Sequence, residues 1–317
     1  MPMKIGITGA SGLLGSALID GLHTEHDVYA TARHKGLQKP GVRWCCFDLL
    51  DSVALNAWLI ESQVDWVIHC AAWVNVDQCQ VQPQQARQLH VQVTSMLATY
   101  LNERGGRLLY ISTDSVFDGK KSGAYTEVDQ VSPLNVYAET KLAGEGPVLA
   151  MKARGLVLRT NIIGWSRRGT LTFFEWLLRG LVEKRPLPLF DDVYFSPLHV
   201  SGLTQIIGQL LRQSCSGLYH VAGSAALTKY DFGYLVAEEF ALSADNISRS
   251  DLASSALQAP RPANMALSSA KLRQEWGVTP LSPKESVVCL KQQYDSGWLS
   301  AFTGRSCRSG YRFWEDS

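Results

Sequence analysis

"KIGITGASGLLGSALIDGL" runs from Lys4 to Leu22. Its first residues are nearly continuous in apolar character, as in a strand covered on both faces. The chain then turns through Gly9, Gly12 and Gly15 and continues with a helical pattern. Glycines at this spacing permit a tight turn and let the N–H groups of a helix N-terminus approach a pyrophosphate. Glycine also serves ordinary turns, so the spacing alone is weak. Its position between a strand and a helix makes it read as a dinucleotide-binding turn. The expected cofactor contacts here are Gly9, Ser11, Gly12, Leu13, Leu14 and Gly15.

Five further strand-like runs follow: "DVYATAR", "VRWCCFDL", "DWVIHCAA", "RLLYIST" and "GLVLRT". Helical patterns separate several of them, including "SVALNAWLIESQ" and "PQQARQLHVQVTSMLATYLNE". A β-α-β-α order predicts an α/β fold, a Rossmann-type doubly wound parallel sheet. From about Gly164 the pattern changes to helices separated by loop-rich stretches. We therefore expect residues 1–163 to form an NADP(H)-binding domain. Residues 164–296 form mainly a smaller, mixed substrate-binding lobe, with room for one or two segments to return to the first domain. Residues 297–317 lack periodicity and read either as a loose tail or as an addition from outside the natural fold.

Composition excludes several classes of function. The 317 residues are 46% hydrophobic and 19% charged, as in ordinary globular proteins. A formal net charge of +1 argues against nucleic-acid binding dominated by phosphate contacts. No apolar run is long enough to span a membrane, and the first residues enter a strand with no signal-peptide pattern. The seven cysteines are scattered, without a C-x-x-C pair, and read as thiols of a reducing cytoplasm. No metal-ligand cluster is apparent.

The second strand ends in "ATARHK", with Arg33 where NAD enzymes often carry an acid. A guanidinium there can pair with a 2′-phosphate, which favours NADPH while leaving NADH open. The competing reading is a solvated basic turn. Asp48, with Leu49 beside it, is placed to accept from an adenine amino group, or else is an exposed loop carboxylate. Cys70, Ala71 and Ala72 end the fourth strand with small residues that leave room for a cofactor. His69 reads as a satisfied strand-end residue.

The fifth strand ends in "ISTDSVFDG", and "NVYAETK" opens the next helix. Tyr137 and Lys141 are four apart, so they share a helix face. A Lys cation beside a phenol favours the phenolate, so Lys141 is expected to lower the Tyr137 pKa. Thr113, at the carboxyl end of its strand, adds a hydroxyl at the end of the sheet where ligands bind.

With these stretches, "HCAAWVNVDQ", "SPLNVYAETKLAGE", "LRTNIIG", "SPLHV", "YHVAG" and "RPANMALSSAKL" give the chain its resemblance to a known family. It resembles an extended short-chain dehydrogenase/reductase and, more narrowly, is similar to the dTDP-4-dehydrorhamnose reductases. The resemblance implies Tyr137 as general acid, Lys141 on the nicotinamide ribose, and Thr113 and Asp114 on the substrate. It also implies reduction of a 4-keto group on a nucleotide-activated deoxysugar, with Arg261, stiffened between Pro260 and Pro262, as an anion contact at the cleft lip. A helix-capping or ion-paired Arg261 is the competing reading. One departure stands out: the family's Trp after the "LRT" strand is Ile162 here. Asp114 is followed by Ser115, so the Asp-Glu pair of the related dehydratases is absent. The family also includes a non-catalytic branch, the regulatory beta subunit of methionine adenosyltransferase, and that role is the alternative. The partners expected are a nucleotide-sugar and at most a second copy of the chain as a homodimer.

Overall fold

The computed structural model describes residues 2–36, 38–167 and 171–297. The tail expected from residue 297 therefore lies almost wholly outside the described residues. The six strands read from the sequence are β1 (Lys4–Thr8), β2 (Asp27–Ala32), β3 (Val42–Cys46), β4 (Trp66–His69), β5 (Arg107–Thr113) and β6 (Gly155–Thr160). Each pairs in parallel with its neighbours, as expected for strands joined by helical crossovers. Helices α1 (Leu13–Leu22), α2 (Ser52–Ser62), α3 (Val76–Val81), α4 (Pro83–Arg87), α5 (Val93–Glu103) and α6 (Val136–Ala150) make the connections. Between β6 and the second lobe lies the short β7 (Ile162–Ile163), followed by α7 (Phe173–Val182). Three more short strands, β8 (Leu187–Phe190), β9 (Tyr194–Phe195) and β10 (Leu198–His199), lead to α8 (Val200–Arg212). Then come β11 (Gly217–His220), β12 (Leu227–Thr228), α9 (Lys229–Glu239) and β13 (Ile247–Ser250).

The main sheet has seven strands in the order β11-β6-β5-β4-β1-β2-β3. The seventh, β11, was not foreseen. Four residues with only two apolar side chains carry little periodic signal, and parallel pairing along β6 is what makes them a strand. Helix α8 also returns to the first domain, where Leu203, Ile207 and Leu210 join Ile5, Ile7, Leu18 and Ile19 in one buried core. The rest of the second lobe surrounds its own core, with Phe174, Leu177, Phe195, Phe232 and Phe240 at its centre. Burying one such side chain contributes roughly 1.5–3 kcal/mol.

Strand order reverses between β1 and β4, and ligands of open α/β sheets bind beyond the carboxyl ends at such a point. Gly9, with φ +64°, leads the chain out of β1 there. A Cβ on Gly9 would lie 2.7 Å from the backbone nitrogen of Ala71, so the two strand-end loops touch at this glycine.

Candidate active site

A Cβ on Gly15 would lie 2.4 Å from the Gly9 carbonyl oxygen, so α1 seats directly on the turn before it. Gly12 caps α1 without a side chain to satisfy its first N–H groups. An uncapped helix start against a glycine turn suits an anionic group. Ser11 and Leu14 are buried beneath the turn, while Leu13 is half-buried at its rim. Cys70, Ala71 and Ala72 face it across the switch point, half-buried. Arg33 follows β2 directly and is exposed. Asp48 is also exposed; one carboxylate oxygen accepts from the Leu50 N–H at 3.0 Å, and Leu49 beside it is buried. The residues on this side of the sheet thus fit a dinucleotide.

Thr113 ends β5 and is buried; its hydroxyl donates to Asp114 Oδ1 at 3.1 Å and accepts from the Ser115 N–H at 3.2 Å. Asp114, only 3% exposed, also accepts from the Ser115 hydroxyl at 3.2 Å and from the Asn161 amide. Burial raises the Asp114 pKa against these donors, and the charge of Lys229 pulls it down.

Helix α6 starts where Asn135 accepts from the Ala138 N–H at 2.9 Å and donates to the Pro260 carbonyl at 2.9 Å. This cap both begins the helix and ties it to the second lobe. Tyr137 follows in the first turn, half-buried and close enough to Thr113 for that hydroxyl to act on its pKa. Lys141, one turn on, is 2% exposed, with Nζ 4.0 Å from the centre of the Tyr110 ring. Thr113, Tyr137 and Lys141 are therefore together at the carboxyl end of the sheet.

The expected electrostatic relation between Tyr137 and Lys141 requires correction. Burial pushes the Tyr137 phenol well above its ordinary value; Thr113 pulls it down, while Asp114 and Cys79 push it further up. Lys141 is itself pushed down to about 7 by burial, with Glu145 and Cys70 acting in the opposite direction. Shared helix position correctly placed both groups, but losing water penalises the charged form of each.

Two buried networks support the site, and neither was foreseen. In the first, Glu145, one turn beyond Lys141, accepts from Arg159 through Nε at 2.9 Å and Nη2 at 2.7 Å. It also accepts from Ser112 at 2.5 Å. This locks α6 to β5 and β6. The second centres on His90, in a π-helical turn (Gln88–Gln92) between α4 and α5. The Trp73 N–H donates to His90 Nε2 at 2.9 Å, so the ring proton is on Nδ1 and donates to Thr140 at 2.8 Å. Thr140 in turn donates to the Val136 carbonyl at 2.8 Å, and the His90 ring meets Tyr137 edge-on at 5.8 Å. Burial and the Lys141 charge push His90 down to about 2, so it stays neutral. The spacing of Tyr137, Lys141 and Glu145 was the one sequence signal for the first network. The second had none, because it joins three segments distant in sequence.

His69 is fully buried, with Nδ1 2.6 Å from the Thr8 hydroxyl and no partner at Nε2. Arg261 is held within the protein: Nη2 donates to Asp77 at 3.1 Å and Nη1 to the Ala259 carbonyl at 2.7 Å. Ile162, where a tryptophan was the family expectation, is half-buried. Among the described residues no group of His, Cys, Asp and Glu side chains could hold a metal ion, and no helix is long and apolar enough to cross a membrane.

Fold and site together define a Rossmann-type α/β protein with a Thr, a Tyr and a Lys gathered at the carboxyl end of its sheet. The chain belongs to the RmlD substrate binding domain family, whose sequence profile matches residues 3–295. It is 29% identical over 291 residues to the probable low-salt glycan biosynthesis reductase Agl14 of Haloferax volcanii, covering 91% of this chain and 97% of that protein. It is also 33% identical over 292 residues to mouse methionine adenosyltransferase 2 subunit beta, covering 85% and 81%. In fold it is similar to the dTDP-4-dehydrorhamnose reductase of Bacillus anthracis in complex with NADP, with a TM-score of 0.83 and 24% identity over 92% of this chain and all of that one.

Proposed function

We propose that this protein uses NADPH to reduce a 4-keto group on a nucleotide-activated deoxysugar. The observation that carries the reading is the meeting of Thr113, Tyr137 and Lys141 at the end of β5, beside the glycine turn of β1. A bound nicotinamide cofactor would supply the hydride. Tyr137, protonated across the physiological range, donates its phenolic proton to the alkoxide that forms on the substrate. Thr113 orients the phenol and, with substrate bound, turns its one hydroxyl proton from Asp114 to the same oxygen. Lys141 places its ammonium one turn below and binds the ribose. Gly9, Gly12 and the start of α1 hold the pyrophosphate, Asp48 meets the adenine, and Arg33 pairs with a 2′-phosphate. Asp114 contacts the sugar. Arg261 reaches a substrate phosphate only by sharing its guanidinium with Asp77.

The test is NADPH oxidation in the presence of dTDP-4-dehydrorhamnose and related 4-keto sugar nucleotides. Turnover that depends on Tyr137 supports the reading. The 33% identity to mouse methionine adenosyltransferase 2 subunit beta favours a second reading, a cofactor-holding subunit without turnover. Tight NADPH binding with no oxidation on any of these sugars would select it.

A further inference from the structure

Lys229 is the first residue of α9, half-buried in the second lobe. Its Nζ lies 3.2 Å from the centre of the Phe195 ring and 4.5 Å from that of Phe173. Rings stabilise an ammonium only modestly and give it no lone pair, so its three donors still need oxygens. Among the described residues Nζ has no hydrogen bond and no ion pair, and it is not sealed from water. The nearest opposite charge that bears on it is Asp114, which is not in ion-pair contact. Asp114 is within hydrogen-bond reach of Thr113, Ser115 and Asn161, which orients its two oxygens and leaves at least one of their four lone-pair sites unused. The Ser115 hydroxyl also lies 3.7 Å from the Met265 sulfur, and Met265 is bonded through its N–H to the Tyr194 carbonyl at 2.9 Å, beside Val193, whose carbonyl accepts from the Lys229 N–H at 3.1 Å. A donor without an acceptor and an acceptor with a vacancy therefore act on each other's charge beside Thr113.

We propose that Lys229 is a specificity-determining residue that, with Asp114, grips a sugar hydroxyl next to the carbon being reduced. A hydroxyl is the neutral group that can do both things required: donate its proton to the carboxylate and accept from the ammonium. Its place follows from distance. Thr113 and Tyr137 hold the carbonyl oxygen, and Asp114 Oδ1 is 3.1 Å from the Thr113 hydroxyl, so the group it meets lies beside that carbonyl. The substrate class is a keto sugar with a free neighbouring hydroxyl. An analogue lacking that hydroxyl leaves the ammonium and the carboxylate unmatched. This inference rests on the ketone-reduction reading and adds the feature of the sugar that the site selects.

The experiment measures equilibrium binding to the NADP+-loaded protein, where no turnover occurs. The probes are dTDP-4-dehydrorhamnose and its analogue lacking the hydroxyl beside the keto group. The wild-type protein should prefer the hydroxylated sugar on the order of 10- to 100-fold, the value of hydrogen bonds to charged groups. Lys229→Met, which packs on the same rings, should abolish most of that preference and leave NADP+ affinity unchanged. Lys229→Arg should restore much of it. The inference is overturned if Lys229→Met keeps the wild-type preference, or if it weakens both sugars equally. A wild-type protein that binds NADP+ but neither sugar overturns the reductase reading as well, so the two failures are distinct.

Discussion

Tyr137→Phe removes one proton donor and leaves the ring against His90. Turnover should fall about 10²–10⁴-fold with NADPH affinity retained, as measured by steady-state kinetics and cofactor titration. A near-native rate would eliminate Tyr137 as the acid. Lys141 allows a test that needs no substrate. Its pKa falls from 10.5 in the unfolded chain to about 7 in the fold. Between those values the unfolded chain holds the extra proton, so stability rises with pH across that window. Below about pH 7 the fold bears the full cost of burying the cation. Lys141→Met should therefore raise the melting temperature at pH 6 while abolishing activity, and the gain should shrink towards pH 10. Glu145 keeps its Arg159 and Ser112 partners in this variant, so the change reports Lys141 itself. A function-bearing residue that costs stability in this way is the expected trade at an active site.

The arrangement of elements decides how these residues meet. Helix α6 carries Tyr137, Lys141 and Glu145 down one face, and the buried Glu145–Arg159 pair fixes that face against β5 and β6. Removing one partner of a buried pair leaves the other charge uncompensated, at about 3–5 kcal/mol. Glu145→Gln should lower stability by that order in denaturant titrations, whereas Glu139→Gln, on the exposed face of the same helix, should not. The end of β2 offers a second test at this scale. Arg33→Ala should weaken NADPH by roughly 1.5–3 kcal/mol and leave NADH nearly unchanged. Equal loss for both cofactors would make Arg33 a structural turn residue. Both helix α6 and the β2 end were legible in the sequence, because each is defined by local spacing. The π turn holding His90 was not: an extra residue in a helix has no periodic signature, and its hydrogen bonds go to Trp73 and Thr140.

At the scale of the molecule, four of the five buried histidines among the described residues are held neutral by strongly lowered pKa values. Burial pushes His69 and His220 down to about 3, His199 to about 4 and His90 to about 2. Below pH 6.5 the unfolded chain takes up protons that the fold refuses, so stability falls with pH, by on the order of 1.4 kcal/mol per pH unit for each fully titrating group. The melting temperature should drop between pH 6.5 and 5, before most carboxylates titrate; a flat profile there would contradict this burial. The alternation of apolar runs with helical patterns, and the glycine turn after the first of them, determined the parallel sheet and the end of it at which that turn sits. Those signals are local, and backbone periodicity carries them. The sequence also placed Thr113, Tyr137 and Lys141, because a strand end and one helix face are enough to bring them together. Only the tertiary structure decided that β11 and α8 return to the first domain, that Arg261 is held by Asp77, and that the charge of Lys229 acts on Asp114. It also reversed the expected pKa of Tyr137. These outcomes depend on desolvation and on partners far away along the chain, and neither leaves a mark in residue spacing.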